Sequence, residues 1–312
     1  MTMKRREFLQ LTSAATVAAL GSTGFQACAS PQLPRRPLGR TGHDRSVVTL
    51  GGIVVMNEAQ ADADRLVAEA LDAGVNGIDV SPTYGDAELK LGHALQGQRD
   101  RVFLGCKTTK RDKAGAAAEL RATLTRLGTD HVDLYQFHGL DKPEELKQVL
   151  GPGGALEAFE EGRQAGLLRF IGITGHVPAT LLSALRQFDF ATVVFPYNFI
   201  LAHYGYGAEL LAEANRRGVG VMAIKPIAER RWATGEAHTC PKCWYKPFTE
   251  NEDISLAMRW ALSQPLVSTI PSGDMRLFRR VLAAAEHYHP LTAEELSALA
   301  TRAAGLKPLF ES

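Results

Sequence analysis

Gly77-Ile78-Asp79-Val80-Ser81-Pro82-Thr83-Tyr84-Gly85, Val102-Phe103-Leu104-Gly105-Cys106-Lys107 and Leu134-Tyr135-Gln136-Phe137-His138 are three successive stretches in which an apolar run ends on polar groups. Short continuous apolar runs separated by helical patterns read as buried parallel strands. In a parallel α/β protein the carboxyl ends of such strands open onto one crevice. Asp79, Tyr84, Lys107 and His138 therefore belong on one face.

The same alternation extends in both directions. Leu38-Gly39-Arg40-Thr41-Gly42 followed by Val47 to Gly52 reads as a hairpin leading into a first strand. Further strands are predicted at 170–174, 192–195, 219–225 and 267–271. Helical spacing of apolar residues marks 59–73, 87–95, 114–127, 155–165, 178–187, 209–217, 251–263 and 275–287. A last helix begins at Leu291, with Thr292 and Glu295 forming a capping box. Eight strand–helix rounds over about 240 residues predict a closed (β/α)₈ TIM barrel with an N-terminal β-hairpin and an extra C-terminal helix. A doubly wound dinucleotide fold needs its glycine-rich turn between strand and helix. Gly218-Val219-Gly220-Val221-Met222-Ala223 has that spelling, but its glycines precede the strand, so no helix amino terminus faces a ligand.

Each of the four polar residues has an ordinary structural reading. Asp79 could cap a turn, Tyr84 fill one, Lys107 end a strand in solvent and His138 pack in a core. Their convergence argues for chemistry instead. A free phenol has a pKa of about 10 and an adjacent ammonium lowers it. Lys107 is the cation, Asp79 its anchor, and His138 a hydrogen-bond partner for a substrate oxygen. Such a set suits general acid catalysis on a carbonyl oxygen while a hydride arrives at carbon.

With these residues in place, the chain resembles the aldo-keto reductases. The resemblance runs from Leu38 to Leu282 and includes Leu38-Gly39-Arg40-Thr41-Gly42, Ile78-Asp79 to Gly92, and Asp133 to His138. It continues in Phe170-Ile171-Gly172-Ile173-Thr174, Pro196-Tyr197-Asn198 and Ile270-Pro271. It implies a (β/α)₈ barrel, Tyr84 as acid/base, Lys107 and Asp79 as its tuning pair, and His138 orienting the carbonyl. It also implies a nicotinamide cofactor, NADP with NAD as the alternative. Cofactor contacts would come from Thr174, Lys225, Ser272, Gly273, Arg276 and Arg280. The departures lie there too: Thr174-Gly175-His176 stands where the family commonly has Ser-Asn, Val194 replaces a Gln, and Asp274 opposes a second negative charge. The implied partner is a small carbonyl or alcohol substrate, with no metal. A barrel that keeps the fold without turnover, binding nucleotide or a protein partner, is the rival. An exported enzyme that retains its cofactor tightly is a second version of the catalytic reading.

The 312 residues carry a formal net charge of +1, which gives no reason to expect nucleic acid as a partner. Lys4-Arg5-Arg6-Glu7-Phe8-Leu9 and the mildly apolar run after it resemble a twin-arginine (Tat) export signal over residues 1–29. Residues 30–37 read as a linker and 38–312 as the barrel. The expectation is a periplasmic or exported protein handled by the twin-arginine translocation machinery. Cleavage after Ala29 and lipid anchoring at Cys28 are the two ways the signal could end. Cys240-Pro241-Lys242-Cys243 is expected to close a local disulfide in an oxidising compartment rather than hold zinc. Trp232, Trp244, Tyr245, Tyr204 and Tyr206 are candidates for an aromatic pocket wall.

Overall fold

The computed structural model describes residues 33–311; the export signal and Cys28 lie outside them. The chain begins with a hairpin, β1 (Arg35–Pro37) and β2 (Asp44–Ser46). It continues through β3 (Leu50–Gly51), α1 (Gln60–Asp72), β4 (Gly77–Asp79), α2 (Ala87–Ala94), β5 (Phe103–Thr108) and α3 (Lys113–Leu127). Next come β6 (Val132–Phe137), α4 (Pro143–Leu150), α5 (Ala155–Gln164), β7 (Leu168–Thr174), α6 (Pro178–Gln187) and β8 (Thr192–Pro196). α7 (Phe199–His203), α8 (Ala208–Arg216), β9 (Gly220–Ile224) and a second hairpin, β10 (Ala228–Arg231) with β11 (Tyr245–Pro247), follow. The chain ends with α9 (Asn251–Ser263), β12 (Ser268–Ile270), α10 (Met275–Glu286) and α11 (Ala293–Ala304).

Eight parallel strands run in the order β3-β4-β5-β6-β7-β8-β9-β12. The ring closes where Val48 bridges Thr269, with Thr49 N donating to Thr269 O at 2.9 Å and Thr269 N to Val47 O at 2.9 Å. This is the (β/α)₈ barrel that the alternation predicts. Leu38, Phe103, Leu134, Val194, Met222 and Ile270 form one buried cluster, and a larger apolar layer joins the strands to the helices. The first hairpin crosses the amino-terminal end of the strands. Gly39, at φ +53°, lies so close to the start of β9 that a Cβ would stand 2.5 Å from Gly220 N. Only glycine permits that approach.

The hairpin corrects the boundary read from sequence. β1 and buried Leu33 fall inside the stretch 30–37 expected to be a linker. At the other end, α11 carries the anticipated capping box. Arg259 fastens α11 to α9 through two hydrogen bonds to Glu295, of 2.7 and 2.6 Å. The chain after α11 then returns to the carboxyl ends of the strands, where Phe310 packs 5.3 Å from the ring of His176.

Candidate active site

Asp79 is the last residue of β4 and Lys107 lies near the end of β5, so adjacent parallel strands present them side by side. Their side chains are only 4% and 3% exposed and form an ion pair through Asp79 Oδ2. The other carboxylate oxygen accepts from Gln136 Nε2 at 2.8 Å, and Lys107 Nζ also donates to Val80 O at 3.1 Å. Burial alone lowers the pKa of the ammonium. Asp79 and the Tyr84 hydroxyl outweigh it and hold Lys107 above the ordinary lysine value.

Tyr84 sits in the turn after β4, with the Lys107 ammonium 5.3 Å from its ring centre. His138, one residue past β6, meets that ring edge-on at 5.9 Å between centroids. Tyr84, Lys107, Asp79 and His138 thus line one cavity of about 270 Å³ at the carboxyl ends of the strands. The four residues inferred from three strand ends do converge.

The electrostatics depart from the sequence expectation. Burial pushes the Tyr84 phenol above its usual value, and the Lys107 cation recovers only part of that shift. The phenol is therefore protonated at neutral pH rather than a tyrosinate. His138 moves the other way: burial, with Lys107, His176 and Arg111 nearby, lowers its pKa to about 3. It is a neutral imidazole at physiological pH, its Nδ1 bonded to Ser81 Oγ at 3.1 Å.

The His138 shift has a measurable consequence. An unfolded histidine takes up a proton near pH 6.5 and the folded one refuses it until about 3. Stability from this residue is complete above pH 6.5 and is lost as pH falls toward 3, by about 1.4 kcal/mol per pH unit. His138→Gln is expected to flatten that part of the acid unfolding curve; an unchanged slope in urea titrations would contradict it.

The remaining predicted contacts divide. Thr174, at the end of β7, lines the cavity, its Oγ1 accepting from Gly139 N at 3.1 Å. Lys225 and Gly273 line it as well. Ser272 lies beneath the wall, its hydroxyl 3.0 Å from the Tyr245 phenol oxygen. Arg276 and Arg280 are committed elsewhere. Arg276 Nη2 binds Asp274 at 2.8 Å, and Arg280 donates to Thr249 O. Asp274 caps α10, accepting from Arg276 N at 2.8 Å and Leu277 N at 3.1 Å.

The β10–β11 hairpin forms a strap across the site. Lys242 ties it to the opposite side, donating to Val54 O at 2.8 Å and Glu58 Oε1 at 2.6 Å. Cys243, Trp244 and Tyr245 line the cavity; Tyr204, Tyr206 and Trp232 do not. Trp232 stacks on His238 at 4.7 Å and donates to Cys243 O at 2.8 Å. Cys240 and Cys243 are buried free thiols, not the local disulfide that their spacing suggested.

Two contributors escape the sequence reading. Asp141 accepts from the backbone N–H of His176 and lies 3.3 Å from its Nδ1. Phe310, from the far end of the chain, packs against His176 and lies 5.6 Å from Lys225 Nζ, in the groove beside the cavity. An acid three residues past the strand-end His138 is a faint signal for the first; the tail offers none for the second.

The lining suits the reactive end of a nicotinamide dinucleotide: apolar Val194, Ile224 and Ile270 share one cavity with Tyr84 and His138. It offers no ready cradle for a 2′-phosphate, because the Asp274 carboxylate already takes the first amides of α10.

A closed (β/α)₈ barrel with a protonated phenol, an ion pair and a neutral imidazole around one strand-end cavity has the architecture of a barrel enzyme. The aldo/keto reductase family model matches residues 49–243, and the chain belongs to that family of oxidoreductases. An uncharacterized oxidoreductase of Bacillus subtilis, YqkF, is 25% identical over 300 residues, spanning 85% of this chain and 95% of its own. L-galactose dehydrogenase of Arabidopsis thaliana is 33% identical over 215 residues, covering 62% of this chain and 65% of its own. Among solved structures, the holo form of aldo-keto reductase AKR11C1 from Bacillus halodurans superposes with a TM-score of 0.71. It shares 24% identity and covers 90% of this chain and 99% of that one, a likeness of fold.

Proposed function

We propose that the protein interconverts an aldehyde or ketone with its alcohol, with NADP(H) or NAD(H) as hydride carrier and Tyr84 as general acid and base. The observation that carries this reading is the buried Lys107–Asp79 pair beside Tyr84, in the cavity that His138 also lines.

A nicotinamide ring, when bound, supplies or receives the hydride. Thr174, Val194 and Ile224 would hold it, with Gly273 flanking the rest of the dinucleotide. The protein's part is to place the carbonyl and move a proton. Tyr84 Oη donates to the developing alkoxide oxygen as charge builds there. Lys107 stabilises the tyrosinate left behind, and Asp79 with Gln136 keeps Lys107 in position. His138, uncharged, orients the same oxygen without competing for the proton. In the reverse direction Tyr84 accepts the alcohol proton. The strap walls one side of the cavity with Lys242, Cys243, Trp244 and Tyr245. Monitoring nucleotide oxidation against a panel of aldehydes and ketones tests the reading; failure of every carbonyl would favour a barrel that binds without turnover.

NADP was the form suggested by Arg276 and Arg280, and it requires Arg276 to leave Asp274. Asp274→Ser should therefore raise NADPH affinity relative to NADH by about tenfold, since it removes a carboxylate from the amides that would meet a phosphate. Equilibrium titration with both nucleotides measures the ratio, and no change would place the 2′ position elsewhere. The twin-arginine leader read from the sequence would deliver the folded protein with its nucleotide aboard; mass spectrometry of protein recovered from the periplasm would show both cleavage and any retained cofactor.

A further inference from the structure

Lys225 is the unusual residue of the cavity. It follows β9 with φ +62°, a left-handed conformation rarely adopted by lysine, and Asn198 Nδ2 fastens its carbonyl at 3.1 Å. Strain of this kind persists only where the surroundings enforce it. The residue is 8% exposed. Two other lysines line the cavity, and both are paired: Lys107 on Asp79 and Lys242 on Glu58. Among the described residues no carboxylate forms a salt bridge with Lys225.

Its Nζ instead lies 3.3 Å from His176 Nε2 and faces three aromatic rings. Their centres are 5.6 Å away for Trp244, 5.6 Å for Phe310 and 6.0 Å for Tyr245. Asp141 is paired with His176 and forms no salt bridge with the ammonium; its charge offsets only part of the effect of burial. Aromatic faces attract a cation, but they do not replace the hydration that burial has stripped from it. Burial accordingly lowers the Lys225 pKa to about 8. A desolvated ammonium with no counter-ion, facing a cavity, is completed by an anion from outside.

The direction of the side chain identifies which anion. β9 lies between β8 and β12 in the barrel, and Lys225 reaches back past β8 to His176, beyond β7. That is away from β12 and α10, where a nucleotide would meet the first helix amides. His176 also lines a wider groove of about 600 Å³, bounded by Arg230, Arg231, Lys307 and the tail residues up to Glu311. Arg230 is paired with Glu236, whereas among the described residues the Arg231 side chain meets Leu309 O and the Trp244 face and no carboxylate. The Lys225 end of the cavity thus adjoins a surface that is basic on balance.

Resting on the oxidoreductase reading above, we infer that the substrate is a carboxylate-bearing carbonyl or hydroxy compound, with its carboxylate docked on Lys225 and its reacting oxygen at Tyr84. The anchor fixes the far end of the molecule, so it acts mainly on substrate affinity.

The test compares 4-carboxybenzaldehyde with 4-methylbenzaldehyde in wild type, Lys225→Met and Lys225→Arg, and measures nucleotide affinity in each. The expected wild-type preference for the carboxylated aldehyde is at least about tenfold in kcat/KM, carried by KM. It should fall to near parity in K225M and survive in K225R, which shows that the charge and not the packing decides. Benzoate quenching of Trp244 fluorescence, absent in W244F and weakened about tenfold in K225M, reads the same site without turnover. No preference in wild type, or one that persists in K225M, overturns the inference. So does a K225M that loses nucleotide affinity while keeping its preference, since Lys225 would then serve the cofactor. If no aldehyde or ketone is reduced but benzoate quenching still depends on Lys225, the anion site stands and the reading of carbonyl turnover falls.

Discussion

Tyr84→Phe is expected to lower carbonyl reduction by about 10³-fold or more while leaving nucleotide affinity within about twofold of wild type. General acid catalysis contributes roughly 10²–10⁴ to rate, and a phenylalanine ring fills the same space without the transferable proton. Because burial raises the Tyr84 pKa, the phenol stays protonated through neutral pH. The reduction rate of the wild type should therefore show no loss from this group until well into alkaline solution. Oxidation of the alcohol, which needs the proton taken up, should improve with rising pH instead. Steady-state kinetics in both directions across pH, with nucleotide titration of the variant, checks these points. Normal reduction by Tyr84→Phe would remove the proton donor from the account.

Lys107→Met carries the largest expected stability effect. It leaves Asp79 buried, 3% exposed, without its counter-ion. Breaking a buried pair from one side costs about 3–5 kcal/mol, whereas replacing both members can be nearly neutral. The double variant Lys107→Met with Asp79→Leu should accordingly be more stable than Lys107→Met alone, and it should remain inactive. Urea unfolding separates the two effects. A single variant as stable as wild type would mean that the pair is more hydrated than its burial indicates.

The barrel was legible because its strands are short apolar runs buried on both faces and its helices often stop at glycine. Gly74 and Gly128 both adopt positive φ where the helical patterns end. The four polar strand ends were legible for the same reason: topology alone carries them to one cavity. The first hairpin was misplaced because Arg35, Arg36 and Pro37 look like linker composition, yet pairing to β2 depends on backbone, not on apolarity. α4 went unseen, although Pro143 at its start and the acidic first turn are recognisable helix signals. The strap could not be read from its polar, glycine-bearing segment, since what orders it is a distant latch between Lys242 and Glu58.

The phenol's electrostatics were misjudged in sign. Sequence placed a cation beside Tyr84 but could not reveal how completely the ring is desolvated, and desolvation is the larger effect. Lys225 was named from sequence as a cofactor contact; that it is neither ion-paired nor solvated emerged only from its aromatic surroundings.

The most direct measurement is a single-turnover experiment in which the protein, loaded with reduced nicotinamide dinucleotide, is mixed with an excess of aldehyde. The expected result is a first-order fall in nicotinamide absorbance that depends on aldehyde and is abolished in Tyr84→Phe. Bound nucleotide whose absorbance stays constant with every aldehyde and ketone offered would contradict it.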